Sequence, residues 1–325
     1  MTVVNMVDAI NQTLHQAMAK DKRIIVLGED VGKEGGVFRV TAGLQKKYGT
    51  DRVVDTPLSE NGIVGTSIGM AAAGLRPIAE MQFSGFMYPA FQQLISHASR
   101  IRNRSRGRYT CPLIVRMPYS GGIRALEHHS ESMESLFAHI PGLQVIIPST
   151  PYDAKGLLAT AIKSDDPVIF MEPKRIYRAI KQDVPTKEYT IPFGKANIVQ
   201  EGTNVTIIAY GAMVREAQRA AEAVKAENIS CEIIDLRSIK PLDTETIITS
   251  VKKTGRCVIV HEGPRTCGVG AEIIARINER ALLYLEAPVV RVTGFDTVFP
   301  YFQNENHYLP EQHRIVNAIK TVVEY

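Results

Sequence analysis

Short runs of aliphatic and β-branched residues alternate with helical patterns along almost the whole chain. Strands that are apolar on both sides need helices over both faces of a largely parallel sheet, so this alternation confines the chain to an α/β fold. In the first part the strand candidates are Ile24–Leu27, Ile78–Met81, Leu113–Met117, Gln144–Pro148 and Val168–Met171. Helical stretches such as Asn61–Gly74, Pro89–Arg102 and Tyr152–Lys163 separate them, and the N-terminal residues read as a further helix. From Tyr177 to Gly202 the alternation is lost and Pro185, Pro192, Gly194 and Gly202 appear, which marks an irregular crossing. The pattern restarts with Val205–Tyr210, Cys231–Asp235, Cys257–His261 and Val289–Val292, between helical patterns such as Val214–Lys225 and Ala271–Leu282. A length of 325 residues suits two domains, expected at 1–185 and 204–325 with a linker over 186–203.

Hydrophobic residues at 45% and charged residues at 22% exclude wholesale disorder. The net charge of +4 gives no reason to expect nucleic acid or an acidic membrane as partner. The alternating arginines of RIRNRSRGR (Arg100, Arg102, Arg104, Arg106, Arg108) follow a helical pattern and lack interleaved stacking aromatics, so a solvated or subunit-facing role is expected over RNA binding. Cys111, Cys231, Cys257 and Cys267 have no CxxC spacing and read as reduced thiols of a cytoplasmic protein. No apolar run approaches the roughly 20 residues of a membrane span, and the N-terminus lacks a signal-peptide pattern.

Three segments carry candidate chemistry. In DTPLSENGIVGTSIGMAAAG, Gly62, Gly65, Gly69 and Ala73 fall on one side of a helix, where another backbone is expected to approach closely. Glu60 stands just before that helix, and spacing alone favours a plain helix-terminal role for its charge. In Glu127-His128-His129-Ser130-Glu131 adjacent side chains diverge, which makes poor chelating geometry. One imidazole on a mobile loop facing a cleft and a surface histidine are equally compatible with this stretch. The Gly-rich pieces GEDVGKEGG and CGVGAE match neither a complete dinucleotide fingerprint nor a P-loop, and no HExxH occurs.

Longer strings are more specific. IIVLGEDVGKEGGVFRVTAGL, DTPLSENGIVG, AEMQFSGFMYPAFQQL, HHSESMESLFAHIPGLQVIIPSTPYDAKGLL, PVIFMEPKRIYR, DLRSIKPLD and GFDTVFPY together resemble, over essentially the whole length, one family. It is that of the beta subunits of the thiamine-diphosphate-dependent decarboxylating component of 2-oxo acid dehydrogenase complexes. The resemblance implies a pyrimidine-binding domain followed by a transketolase-like C-terminal domain. It implies an α2β2 heterotetramer with active sites between chains, where a GDG motif of the alpha chain holds the diphosphate and its Mg²⁺. No GDG occurs in this sequence. The C-terminal domain of the family also helps dock the peripheral-subunit-binding domain of the lipoyl acyltransferase core.

By the same resemblance, Glu60 bonds the aminopyrimidine ring nitrogen of thiamine diphosphate and so promotes formation of its nucleophilic carbon. Gln82 lines the pyrimidine pocket by hydrogen bonding and Phe86 by stacking, with Leu58 packing beside them. Some relatives have Tyr at the position of Phe86. His129, rather than His128, matches the family's active-site histidine, which serves substrate orientation and proton transfer in decarboxylation and reductive acylation of the lipoyl group. A K⁺ site held mostly by backbone carbonyls in some relatives maps to Ile114, Ala161, Ile162, Ser164 and Asp166, with Ser164 in place of an acidic residue. EPKRIYR, SLFAHIPG, HEGPRTCGVGAEI and TGFDTVFP lean toward the branched-chain 2-oxo acid branch, with pyruvate dehydrogenase or acetoin dehydrogenase as alternatives.

Overall fold

A computed structural model describes residues 1–325. The chain opens with β1 (Thr2–Val4), α1 (Met6–Lys20), β2 (Ile24–Gly28), α2 (Leu44–Tyr48), β3 (Val53–Asp55), α3 (Glu60–Ala72) and β4 (Arg76–Glu80). It continues with α4 (Tyr88–Gln93), α5 (Ile101–Arg104), β5 (Ile114–Tyr119), α6 (Glu134–His139), β6 (Gln144–Ile146), α7 (Pro151–Lys163), β7 (Val168–Pro173) and β8 (Gln182–Val184). Then follow β9 (Asn197–Gln200), β10 (Val205–Ala209), α8 (Met213–Val224), β11 (Cys231–Asp235), β12 (Ser238–Lys240) and α9 (Thr244–Thr254). The last elements are β13 (Cys257–Val260), α10 (Val269–Ala281), β14 (Val290–Val292), α11 (Glu305–Tyr308) and α12 (Gln312–Val323).

Two large sheets carry these elements. The seven-stranded sheet has the order β12-β6-β7-β5-β4-β2-β3 and is parallel except at its β12 edge. The five-stranded sheet has the order β14-β13-β10-β11-β9 and is parallel except at its β9 edge. Strands β1 and β8 form a separate antiparallel pair. Every residue of β2, β5, β10 and β11 is buried, which is the two-sided burial that their largely apolar runs predict. Side-chain caps start the helices: Asn5 accepts from the Asp8 amide at 3.0 Å, Thr150 from Asp153 at 3.0 Å with Pro151 following, and Asp243 from Thr246 at 3.2 Å. Each such cap contributes about 1 kcal/mol.

Three features depart from the sequence reading. Strand β12 lies in the second half of the chain but completes the first sheet. The single helix expected over Pro89–Arg102 is broken after α4, where the Ser99 amide bonds the Leu94 carbonyl at 3.0 Å in a wide turn. Gly142 packs on that turn so closely that a Cβ there would lie 2.1 Å from the Ser99 carbonyl oxygen. The crossing from Tyr177 to Gly202 is largely irregular but includes β8 and β9.

Beneath the C-terminal ends of the central strands lies a fully buried ion cluster. Arg116 of β5 donates to Glu80 of β4 at 2.7 Å and, through two nitrogens, to Glu172 of β7 at 2.7 and 2.8 Å. The Tyr177 hydroxyl also donates to Glu172, at 2.5 Å. Removing one partner of such a cluster costs about 3–5 kcal/mol, so the three strand ends form a stiff platform.

Candidate active site

Open parallel sheets bind ligands at the carboxyl ends of their strands. The segments leaving β2, β3, β4 and β5 there carry Glu29 and Asp30, Leu58 to Glu60, Gln82 to Met87, and the loop to His129. Glu60 is the first residue of α3, and the Ser59 hydroxyl caps that helix by accepting from the Gly62 amide at 3.3 Å. Burial raises the Glu29 carboxyl above the ordinary carboxylate range, and the nearby charges of Glu60 and Asp30 raise it further. Gln82 donates to Asp30 at 3.1 Å, which ties the β4 exit to this acidic rim. Asp55 holds the β2 exit by accepting from the amides of Gly32 at 2.6 Å and Lys33 at 3.3 Å.

The neighbouring loop separates the two histidines. His129 sits in a cage of rings, 4.4 Å from Phe83 and 5.1 Å from Phe86 between centroids. Its Nδ1 is buried without a hydrogen-bond partner. Burial, then neighbouring Lys174 and His128, lower its pKa below the ordinary histidine value, while Glu127 opposes them. The imidazole is therefore neutral at neutral pH and free to take or give a proton. His128 instead has a side chain 55% exposed, with Nδ1 3.6 Å from Glu131.

Both halves of the chain hold this loop in place. On the first half, the carbonyl of Glu131 accepts from the Ser84 hydroxyl at 2.8 Å and the Ser120 amide at 3.1 Å. Gly85 lies against the histidine turn, where a Cβ would stand 2.2 Å from the His128 carbonyl oxygen. From the second half, Glu262 accepts from the Gly121 amide at 3.1 Å, and Glu305 accepts from the Gly122 amide. Lys174 is buried near both carboxylates, and burial pushes its pKa down to about 7 against their opposing pull. Burial likewise pushes Glu134 up to about 7, although it accepts from Tyr210 at 2.8 Å.

Glu60, Gln82, Phe86 and His129 thus lie at one end of one sheet. Leu58, on the same strand-end segment as Glu60, is 78% exposed in this chain. Within this chain the small-residue face of α3 is open. No backbone approaches it closely; an added Cβ at Gly65 would meet only the Gln93 side chain at 3.6 Å, and at Gly69 nothing within 4 Å. Three arginines of the basic run fold back locally, Arg100 and Arg104 onto the carbonyls of Ile95 and Ser96 and Arg102 onto Asp166. Glu29, Asp30 and Phe83 were missed as site residues; the position of the acids directly after β2 was the available signal.

The mapped K⁺ residues do not fit an ion. The Ala161 carbonyl accepts from the Ser164 amide at 3.0 Å, and the Ile162 and Ser164 carbonyls each accept from Arg76 at 2.9 Å. The Asp166 carbonyl accepts from the Ser164 hydroxyl at 3.0 Å and its carboxylate from Arg102 at 2.6 Å, while Ile114 lies in a strand paired on both sides.

Comparison with known proteins decides the family. Residues 2–180 match the transketolase pyrimidine-binding domain and residues 194–315 the transketolase C-terminal domain. The chain is 55% identical to the pyruvate dehydrogenase E1 component subunit beta of Acholeplasma laidlawii, over all of this chain and 99% of that one. It belongs to the E1 beta subunits of 2-oxo acid dehydrogenases. The proteins of the same name from Bacillus subtilis (strain 168) and Staphylococcus aureus are 48% and 47% identical over the full length of both chains. A split-gene transketolase, solved as an inactive beta4 tetramer, shares the fold with a TM-score of 0.82, 22% identity and 99% coverage of both chains.

E1 beta subunits belong to a thiamine-diphosphate-dependent family, and the strand ends of this one suit the ring end of that cofactor. They offer a carboxyl, an amide and an aromatic face on adjacent segments, and a buried imidazole nitrogen with no partner of its own. The relatives carry the name of pyruvate dehydrogenase, so the lean toward the branched-chain branch is not supported.

Proposed function

We propose that this subunit serves a pyruvate dehydrogenase: with an alpha subunit it decarboxylates pyruvate and passes the acetyl unit to a lipoyl group of an acyltransferase core. The full-length identity of 55% to a protein of that name supports the substrate. The observation that carries the chemistry is the neutral, partner-free imidazole of His129, caged by Phe83 and Phe86 at the same end of the sheet as the acidic rim of Glu29 and Glu60.

Thiamine diphosphate, when bound, supplies a nucleophilic carbon and an electron sink for the broken C–C bond. Glu60 would share a proton with the aminopyrimidine ring nitrogen, Gln82 would hydrogen-bond the ring and Phe86 would lie against it. His129 would orient the substrate carboxylate and hold or deliver a proton at its free nitrogen, its ring held between those of Phe83 and Phe86. The proposal assigns the diphosphate and Mg²⁺ to the alpha subunit of an α2β2 assembly. Leu58 and the open glycine face of α3 are the surfaces it offers to that assembly. It keeps the domain division at 186–203, a cytoplasmic location, and docking of the acyltransferase core by the C-terminal domain.

The test is co-expression with the alpha subunit, followed by artificial-acceptor assays with and without thiamine diphosphate and Mg²⁺. Cofactor-dependent turnover favouring pyruvate over 3-methyl-2-oxobutanoate by about 10–200-fold is expected, the range that a methylene or two can supply. Preference for the branched substrate, or turnover of acetoin alone, would overturn the substrate assignment.

A further inference from the structure

We infer that the Arg76 guanidinium takes the place of an alkali cation at the C-terminus of α7, so that K⁺ is no part of this subunit. The last carbonyls of a helix lack intrahelical partners and carry its negative end, which makes them a natural cation site. In α7, Ala161 is satisfied by the Ser164 amide, which leaves Ile162 and the turn beyond it. One guanidinium nitrogen of Arg76 spans the gap, 2.9 Å from both the Ile162 and the Ser164 carbonyl oxygens. A second nitrogen donates to Asp165 at 2.6 Å, which balances the charge.

A bound K⁺ would do the same work, drawing carbonyl oxygens of one turn around a positive centre. The two cannot share the place: the carbonyls already point at the guanidinium, and its nitrogen fills the space between them. Of the other mapped residues, Asp166 has its carbonyl bonded by the Ser164 hydroxyl and its carboxylate by Arg102, and Ser164 brings no charge. Arg76 is well placed for the task. It opens β4, its backbone amide bonds the Arg23 carbonyl at 2.9 Å, and its side chain is only 17% exposed. The guanidinium therefore ties the sheet to the α7–β7 turn whichever 2-oxo acid the enzyme takes.

The experiment is hydrogen exchange of peptides spanning residues 160–168 in the assembled alpha–beta enzyme, in KCl and in choline chloride at equal ionic strength. The wild type should exchange equally in both salts. Arg76→Ala should exchange at least about tenfold faster in choline, the effect of losing charge-assisted hydrogen bonds, and K⁺ should slow it back toward wild type. Crystals of the wild type soaked in Tl⁺, a K⁺ mimic, should show no anomalous peak between the Ile162 and Ser164 carbonyls. A peak there, K⁺-specific protection of the wild type, or wild-type exchange in Arg76→Ala would each overturn the inference. Arg76→Lys keeps a charge on a flexible stem and serves if the alanine variant does not assemble. Faster exchange that K⁺ leaves unchanged is then expected, and exchange that K⁺ slows would contradict the exclusion of a second cation.

Discussion

Gly85→Ala tests whether the histidine turn is held in register by backbone contact. The added Cβ would stand 2.2 Å from the His128 carbonyl oxygen, 2.6 Å from a Glu131 carboxylate oxygen and 2.8 Å from the His128 carbonyl carbon. The carboxylate can swing away, but the two backbone atoms belong to the turn that carries His129. Since ordinary contact begins near 3.4 Å, the turn and the Ser84–Met87 segment must separate by about 1 Å. The loop cannot shift as a whole, because the Glu131 carbonyl is pinned by Ser84 and Ser120 and the Gly121 amide by Glu262. The displacement therefore falls on His129. A 1 Å misplacement of a catalytic group costs about 100-fold in rate, or about 2.7 kcal/mol. Overpacking should cost a further 1–3 kcal/mol or so of stability, small enough for the fold to survive. The assay is cofactor-dependent turnover by the alpha–beta enzyme, with thermal unfolding as the control for folding. A folded variant whose kcat stays within about threefold of wild type would refute the reasoning.

The two histidines should behave oppositely: His128→Ala, at an exposed position, should leave turnover within about twofold, while His129→Ala should lower kcat by about 10²–10⁴-fold. Lys174→Met removes a cation that lowers the His129 pKa, so the imidazole should gain its proton at higher pH. The acid limb of the kcat/KM profile should accordingly move up in pH, and an unmoved or lowered limb would contradict this role. Gly69→Gln puts a side chain on the open face of α3, which helix propensity alone favours by up to about 1 kcal/mol. If the alpha subunit packs on that face, size-exclusion with light scattering should show a folded chain that no longer forms the heterotetramer; a normal heterotetramer would place the interface elsewhere.

The central strands were legible because burial on both faces leaves them rich in apolar residues: Cys231–Asp235 is read from the sequence with the bounds of β11, and Ile24–Leu27 lies within one residue of β2. Strand β12 was not, since its three residues owe their extended form to pairing with β6 across the domain boundary. At the site, spacing alone could neither lift Glu60 above a helix-terminal charge nor choose between His128 and His129. What distinguishes them is tertiary: Glu60 lies close enough to perturb Glu29, and His129 turns into the cage of Phe83 and Phe86. For Leu58 and the glycine face of α3, the sequence shows that a surface is apolar or small but not which chain covers it.

The most direct test is Glu60→Gln in the alpha–beta enzyme, which preserves size and hydrogen bonding but removes the acid. Thiamine diphosphate binding, followed by calorimetry, should stay within about tenfold of wild type, while turnover of pyruvate should fall by about 10²–10⁴-fold, the contribution of a positioned proton-transfer group. Near-wild-type turnover with the cofactor bound would contradict the assignment of Glu60 and, with it, the placement of the active site at the ends of β2 to β5.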